Sequence, residues 1–314
     1  MNDKKTPLIA IIGPTAVGKT EFSLELAQKL NAEIISVDSR QVYRYLNVGT
    51  DKVNIETRKE IPHHLIDVVD PDQIYSAADF AKDTNDAIIR IKGRGKIPLL
   101  IGGSALYYKA LEGALSKDLP KDNIIRDELK NELEVKGLQP LYGKLQLIDP
   151  TAADKIHPND HVRIMRALEV YRITGKPISW WYSTQERNNS QFDIMYIGLI
   201  RDRSTLYNNI ENRVKIQFAS GYPEEVEWLL NNGYSPNLPS MQGFGYKELV
   251  LYIRGKMTLY EAIQGDIKST KIFSRRQMTW FKHFLPVKWY NLQDINAKLA
   301  VEDAYSDCIC HVSE

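Results

Sequence analysis

The sequence predicts an α/β protein: a parallel-sheet core, a helical insertion in its middle and a helical C-terminal region. Three observations carry that prediction. Gly13-Pro14-Thr15-Ala16-Val17-Gly18-Lys19-Thr20 matches G-x-x-x-x-G-K-[ST], a loop whose backbone N–H groups cradle phosphate oxygens. Apolar runs of strand length recur at 8–12, 33–38, 97–101 and 192–199. Between 117 and about 191 strand signals thin out and helical ones take over. With 314 residues the chain has room for one large domain or two modest ones. The expected division is a catalytic core of 1–116 and 192–314, with a basic helical tail at about 240–290, and an insertion of 117–191.

The first element is the run Leu8-Ile9-Ala10-Ile11-Ile12, a buried strand. After the glycine loop, 21–30 places Phe22, Leu26, Ala27 and Leu30 on one helical face. Strand, glycine loop, helix is the order that aims N–H groups and a helix N-terminus at an anion. The core is therefore read as phosphate-loop NTPase-like, and Gly13, Pro14, Thr15, Ala16, Val17, Gly18, Lys19 and Thr20 are its expected phosphate ligands. Such a loop grips a di- or triphosphate whatever hangs off its far end.

The second strand ends in Asp38-Ser39-Arg40-Gln41-Val42-Tyr43. In an open α/β sheet ligands lie outside the carboxyl ends of the strands, so Asp38 shares a rim with the glycine loop. It can cap a turn there or serve the ligand. His63 and His64 are adjacent in an extended stretch, point to opposite sides and make a poor chelating pair; packing and hydrogen bonding are expected of them. Residues 76–91 read as a helix stopped by Gly93-Arg94-Gly95. Gly102-Gly103-Ser104 follows the fourth strand, allows close backbone approach and offers a hydroxyl. In the insertion, helices are expected over 122–135 and 159–174, the latter ended by Gly175 and Pro177. Beyond the strand at 192–199, Ser204 is expected to cap a helix reaching Ala219, with Arg213 inside it, and 224–231 forms another.

Composition excludes several classes. Apolar content of 43% with 26% charged residues is that of an ordinary globular protein. No window approaches the roughly 20 apolar residues of a membrane span. The start, Met1 to Pro7, runs directly into a strand with no secretory core, so a cytoplasmic protein is expected. Cys308 and Cys310 are too close for an ordinary disulfide and too few for a metal site; they read as free thiols on a tail. Net charge is +1, from 41 basic and 40 acidic residues. Yet 254–288 holds eight Lys or Arg against two acids, interleaved with Phe273, Trp280, Phe281 and Phe284. That stretch is either a solvated basic helix face or a surface for nucleic-acid phosphates.

Taken together the motifs resemble those of the bacterial tRNA dimethylallyltransferases, also called tRNA isopentenyltransferases. The resemblance rests on residues 13–20, Asp-Ser-Arg-Gln-Val-Tyr at 38–43, Tyr-Ser-Ala-Ala-Asp-Phe at 75–80 and Gly-Gly-Ser-Ala-Leu-Tyr at 102–107. It continues through His-Pro-Asn-Asp at 157–160, Arg-Ala-Leu-Glu-Val at 166–170, Gly-Tyr-Lys-Glu-Leu at 245–249 and Arg-Arg-Gln-Met-Thr-Trp-Phe at 275–281. The resemblance implies transfer of a dimethylallyl group from dimethylallyl diphosphate to the exocyclic amine of the adenosine 3′ of the anticodon, position 37, in tRNAs reading codons that begin with U. It implies Mg2+ held by Thr20, an anticodon stem-loop embraced by the insertion, and no consumption of ATP despite a loop of the nucleotide-binding type. A monomer is expected.

The same resemblance implies roles. Asp38 is the general base; Lys19 and Arg213 face the diphosphate. Asp38, Ser39, Arg40, Gln41 and Ser104 meet the adenosine, and Arg126 with Val162, Arg163, Ile164, Met165 and Arg166 contacts the rest of the tRNA. The chain departs from the family's usual pattern at Ser104-Ala105, where Thr-Gly is common, at Asp51, where Ala is common, and at Gly243-Phe244, where Ala-Ile is common. The rival readings are a phosphate-loop small-molecule or nucleotide kinase, an isopentenyltransferase acting on free AMP, and an RNA-binding module with a vestigial loop.

Overall fold

A computed structural model describes residues 5–113, 119–184, 190–284 and 286–313. Residues 1–4, part of the expected chain start, and 117, the expected start of the insertion, lie outside them. The strand before the glycine loop is β1 (Thr6–Ile12), and it is buried on both faces. Its Leu8, Ala10 and Ile12 enter one apolar core while Ile9 and Ile11 enter the other. That strict alternation explains why the run is apolar at every position, as a central parallel strand must be. The chain continues through α1 (Lys19–Leu30), β2 (Ala32–Val37), α2 (Ile55–Glu60), β3 (His63–His64), α3 (Ala77–Gly93), β4 (Ile97–Gly102) and α4 (Ala105–Leu111). Ser76 closes the start of α3 with Asp79 in a capping box.

One sheet of six parallel strands runs β3-β2-β4-β1-β5-β6, where β5 is Phe192–Ile200 and β6 is Val287–Asn291. Register places Ile12 and Val37 each opposite Gly102. The loops after β1, β2 and β4 therefore leave the sheet side by side. Gly102 is required there, because a Cβ would lie 2.1 Å from the Val37 carbonyl oxygen. His63 Nδ1–H donates to the Ile61 carbonyl at 2.7 Å, and His64 Nε2 meets Glu33 at 2.6 Å.

The chain divides into two compact units, 1–111 with 190–314, and 112–189. The second unit holds α5 (Asn123–Lys136), α6 (Leu138–Ile148), α7 (Pro150–Lys155), α8 (His161–Thr174) and α9 (Ile178–Thr184). Asp122 caps α5, Asp160 caps α8 and Gly175 ends α8 in a left-handed turn. Leu129, Leu141, Leu145, Ile164 and Leu168 form a core of its own.

The first unit resumes with α10 (Arg203–Ala219), α11 (Tyr222–Asn231), a short 3-10 turn (Pro239–Gln242), α12 (Tyr246–Ile253), α13 (Leu259–Phe281) and α14 (Ala297–Ser313). Three expectations need correction. The cap of α10 is Asp202, two residues before Ser204, and its side chain makes no capping bond. The basic tail is not helical throughout: it ends in β6, beside β5, with Lys288 paired to Asp303 and Asp307 of α14 at 2.6 Å each. Cys308 is not a tail thiol; it is buried in the core with Ala300, Val301 and Ala304, and that burial pushes its thiol up to about 12. Cys310 is exposed, and both thiols are free.

Candidate active site at the carboxyl rim of the sheet

The glycine loop owes its shape to backbone angles that few side chains permit. Gly13 has φ +150°, and a Cβ on it would lie 2.6 Å from the Leu199 carbonyl oxygen of β5. Ala16 and Gly18 take φ +64° and +109°. Side chains from distant elements then clasp the loop. Gln277 of α13 accepts the Thr15 N–H at 2.9 Å and donates to the Gly103 carbonyl at 3.1 Å. Asn209 of α10 donates to the Ala16 carbonyl at 3.2 Å. Arg201 donates to the carbonyls of Val17 at 2.8 Å and Leu292 at 3.2 Å. Sequence reading missed all three. Gln277 lies in the 275–281 motif and Arg201 at the rim end of β5, but nothing in the sequence sets these residues or Asn209 against the loop.

Lys19 opens α1, and its Nζ donates to the carbonyls of Gly13 at 3.0 Å and Pro14 at 2.7 Å. Burial, reinforced by the charge of Arg213, lowers its ammonium to about 7, while Asp38 and Asp51 pull the other way. Not every expected phosphate ligand has a free donor. Pro14 has no N–H, the N–H of Thr15 is taken by Gln277, and Gly13 and Pro14 serve through their carbonyls to Lys19. Thr15, Ala16, Val17, Gly18, Lys19 and Thr20 line a cavity of about 710 Å³.

Asp38 follows β2 and lines the same cavity. Its Oδ1 accepts the N–H of Arg40 at 2.7 Å and of Gln41 at 3.3 Å, so it shapes the turn as well as facing the ligand space. The Ser39 N–H donates to the Ser104 hydroxyl at 3.1 Å, which ties the loops after β2 and β4 together. The guanidinium of Arg40 is held by the carbonyls of Pro239 at 2.6 Å and Ser240 at 3.0 Å. Gln41 accepts from Ser36 at 2.9 Å and donates to the carbonyl of Thr50 at 3.1 Å. Arg213 of α10 also lines the cavity; its Nη1 lies 3.8 Å from Asp51 Oδ2. Its Nε is buried and, among the described residues, has no hydrogen-bond partner. Phe244 and Phe273 contribute a tilted aromatic pair to the cavity wall, with centroids 5.1 Å apart.

In the helical unit the expected RNA contacts sort themselves by burial. Ile164 is fully buried and packs the unit's core, so its side chain is removed from the set of contacts. Val162 and Arg163 are exposed, Met165 half-buried. Arg126 Nη2 donates to both oxygens of buried Glu169, at 2.9 and 3.1 Å. Arg166 donates to Glu169 at 2.8 Å and to the carbonyls of Pro120 at 2.9 Å and Leu119 at 3.1 Å. Both arginines are thus fixed in orientation by the unit's interior.

Chemically the first unit gathers the glycine loop, the cations Lys19 and Arg213, the carboxylates of Asp38 and Asp51 and an aromatic wall in one cavity. Among the described residues no group of three His, Cys, Asp or Glu side chains could hold a metal. The hydroxyl of Thr20, in the wall of this cavity, is an oxygen donor of the kind that suits Mg2+.

Comparison with known proteins supplies the family. The family model "IPP transferase" matches residues 41–284, and "Isopentenyl transferase" matches 6–67. A tRNA dimethylallyltransferase of Natranaerobius thermophilus is 45% identical over 294 residues, spanning 93% of this chain and 88% of its own. One from Carboxydothermus hydrogenoformans is 43% identical over 301 residues, 94% and 96% of the two chains. Among solved structures, the full-length tRNA isopentenylpyrophosphate transferase of Bacillus halodurans superposes with a TM-score of 0.73 at 36% identity, covering 99% of this chain and 97% of that one. A eukaryotic dimethylallyltransferase acting on tRNA superposes with a TM-score of 0.81 at 29% identity, covering 97% and 80%.

Proposed function

The chain belongs to the IPP transferase family, and from that premise we propose that it moves a dimethylallyl group from dimethylallyl diphosphate to the exocyclic amine of an adenosine in tRNA. It is a transferase enzyme. The observation that carries the reading is the placement of Asp38 in one cavity with Lys19, Arg213 and the glycine loop. A diphosphate cradle alone suits many reactions. A carboxylate sharing its cavity suits one in which a weak nucleophile must lose a proton while a phosphate ester departs.

The adenine amine is a poor nucleophile because its lone pair is delocalised into the ring. As its nitrogen bonds to the allylic carbon, Asp38 takes the amine proton, and the carbon–oxygen bond to diphosphate breaks with the electron pair leaving on oxygen. Two backbone N–H bonds on Oδ1 hold the carboxylate and keep Oδ2 for that proton. Charge developing on the departing oxygens meets the loop's N–H groups, Lys19 and the planar fork of Arg213. When bound, Mg2+ neutralises part of that charge, and Thr20 is the residue that would hold it. The Phe244–Phe273 pair offers an apolar wall to the allyl chain or a stacking face to the base.

The finer assignments belong to the same proposal. The acceptor is the adenosine 3′ of the anticodon, in tRNAs reading codons that begin with U. It reaches Asp38 only when unstacked, and Ser39, Arg40, Gln41 and Ser104 form the rim that receives it. The helical unit, through Arg126, Val162, Arg163, Met165 and Arg166, and the basic stretch at about 240–290 hold the rest of the anticodon stem-loop. The protein works as a monomer in the cytoplasm.

The test offers labelled dimethylallyl diphosphate and labelled ATP, each with tRNA and with AMP. Label passing from the prenyl donor into tRNA is the expected result. Label from ATP in either acceptor, or prenyl label in AMP alone, overturns it. Asp38→Ala is expected to slow prenyl transfer by about 10² to 10⁴ while tRNA still binds. Turnover within a few-fold of wild type removes Asp38 from the role of base.

A further inference from the structure

We propose that Asp51 is an internal competitor for the diphosphate, its carboxylate lying against the cation that receives the donor and so setting donor affinity. The inference rests on the reading of the cavity as a diphosphate site.

The pair is unequal. Arg213 keeps 25% of its side chain exposed and Asp51 56%, so the cation is held in the wall and the anion stands in the cavity. The 3.8 Å separation makes a loose ion pair, and the Arg213 Nε stays buried without a partner among the described residues. Asp51 thus engages the guanidinium without satisfying it. The same carboxylate favours the protonated form of Lys19, the other cation of the cradle.

The position of Asp51 is built. Its φ is +55°, in the left-handed region. Gln41 Nε2 donates to the carbonyl of Asp51 at 3.4 Å as well as to that of Thr50. Upstream, the carboxylate of Glu225 accepts the N–H groups of Asn47 at 2.7 Å, Val48 at 2.6 Å and Gly49 at 3.2 Å, and the Tyr246 hydroxyl donates to it at 2.7 Å. Gly49 lies so close to Tyr222 that a Cβ would sit 2.2 Å from the ring. A loop backbone held at 47–49 and again at 50–51 places Asp51 in the cavity wall.

A partly exposed pair of this kind is weak. A diphosphate, with more charge and several oxygens, displaces it. Displacement still costs the pair, and the displaced carboxylate repels the new anion. Asp51 therefore lowers donor affinity and eases product release, because it returns to Arg213 as diphosphate leaves.

Asp51→Asn removes the charge, keeps the size and tolerates a left-handed backbone. At about pH 6, below the Lys19 titration so that this lysine keeps its charge in both proteins, inorganic pyrophosphate is titrated calorimetrically into the full-length wild type and the variant, once in EDTA and once in Mg2+. The expected result is a Kd about three- to tenfold lower for the variant in both buffers. Asp51→Gly, equally at ease at positive φ, repeats the test should the asparagine variant fold poorly. Equal or weaker binding by the variants in EDTA overturns the proposal and leaves the diphosphate site standing. Weaker binding in Mg2+ alone makes Asp51 a metal ligand instead, which also overturns it. A wild type that binds no pyrophosphate in either buffer sinks this inference together with the reading it rests on.

Discussion

Lys19 is a residue whose chemistry departs far from its ordinary form. Burial first, then Arg213, brings its ammonium from 10.5 to about 7. Between those values the unfolded chain holds a proton that the folded chain has released, so this group's contribution to stability rises with pH from about 7 to about 10.5. Below that window the fold carries a buried ammonium, held by the carbonyls of Gly13 and Pro14. In the proposed reaction function has the opposite slope, because the charged form is the one that would receive the diphosphate. We expect kcat/KM for the prenyl donor to fall about tenfold per pH unit above about 7. Lys19→Arg, charged throughout, should lose that limb while turning over more slowly, and a flat wild-type profile from pH 7 to 9 contradicts the assignment. Lys19 and the glycine loop were legible in the sequence because the whole motif is contiguous. Gln277, Asn209 and Arg201 were not, since they bond to loop residues 262, 193 and 184 positions away. Only the fold makes them neighbours.

At the scale of elements, α13 links the rim to the core. Its inward face carries Asp266, Thr270, Ser274 and Gln277, an unusual run of buried polar groups for a helix interior. Asp266 accepts from Thr270 at 2.9 Å, and burial raises its carboxyl to about 6. Gln277 joins the loops after β1 and β4 through two bonds. Gln277→Ala leaves the Thr15 N–H and the Gly103 carbonyl without that partner. We expect about 1–3 kcal/mol of lost stability in urea titration and a raised KM for the donor. A variant with unchanged stability and KM would show that the two loops hold their places without the clasp. Helices with caps and apolar periodicity, such as α3, α5 and α8, were readable to within a residue or two. β6 and α14 were not. β6 has five residues and interrupts its apolar pattern with exposed Lys288, so it reads as the end of a basic helix until α14 supplies the acids that pair with it. That pairing engages Lys288 with acids of the same chain, and Lys271 is likewise engaged, with Glu211.

For the molecule as a whole, the question is how a chain of net charge +1 holds a polyanion. A global field cannot do it; local surfaces must. On α13, Arg275 and Arg276 are exposed, on the side away from buried Ser274 and Gln277, and Lys268 is exposed about two turns earlier. Among the described residues none of the three forms an ion pair, in contrast to Lys271 and Lys288. In the helical unit, Arg163 is exposed and only loosely paired, at 3.5 Å, with Asp160. The basic stretch at 254–288, ambiguous as a sequence, therefore resolves into residues paired with the protein's own acids and residues without such a pair among the described ones. Removing Arg275 and Arg276 together should weaken tRNA binding and reduce the slope of log K against log salt by about 1.5, since each phosphate no longer neutralised takes away about 0.7–0.9. Pyrophosphate affinity should not change, because neither side chain lines the cavity. Arg163→Ala should lower the slope by a further step, about that of one phosphate. A double variant with a weaker tRNA complex but an unaltered slope would mean that the outer face of α13 meets bases or protein rather than phosphate. Unaltered affinity and slope would make it an ordinary solvated face and leave the helical unit as the principal RNA surface.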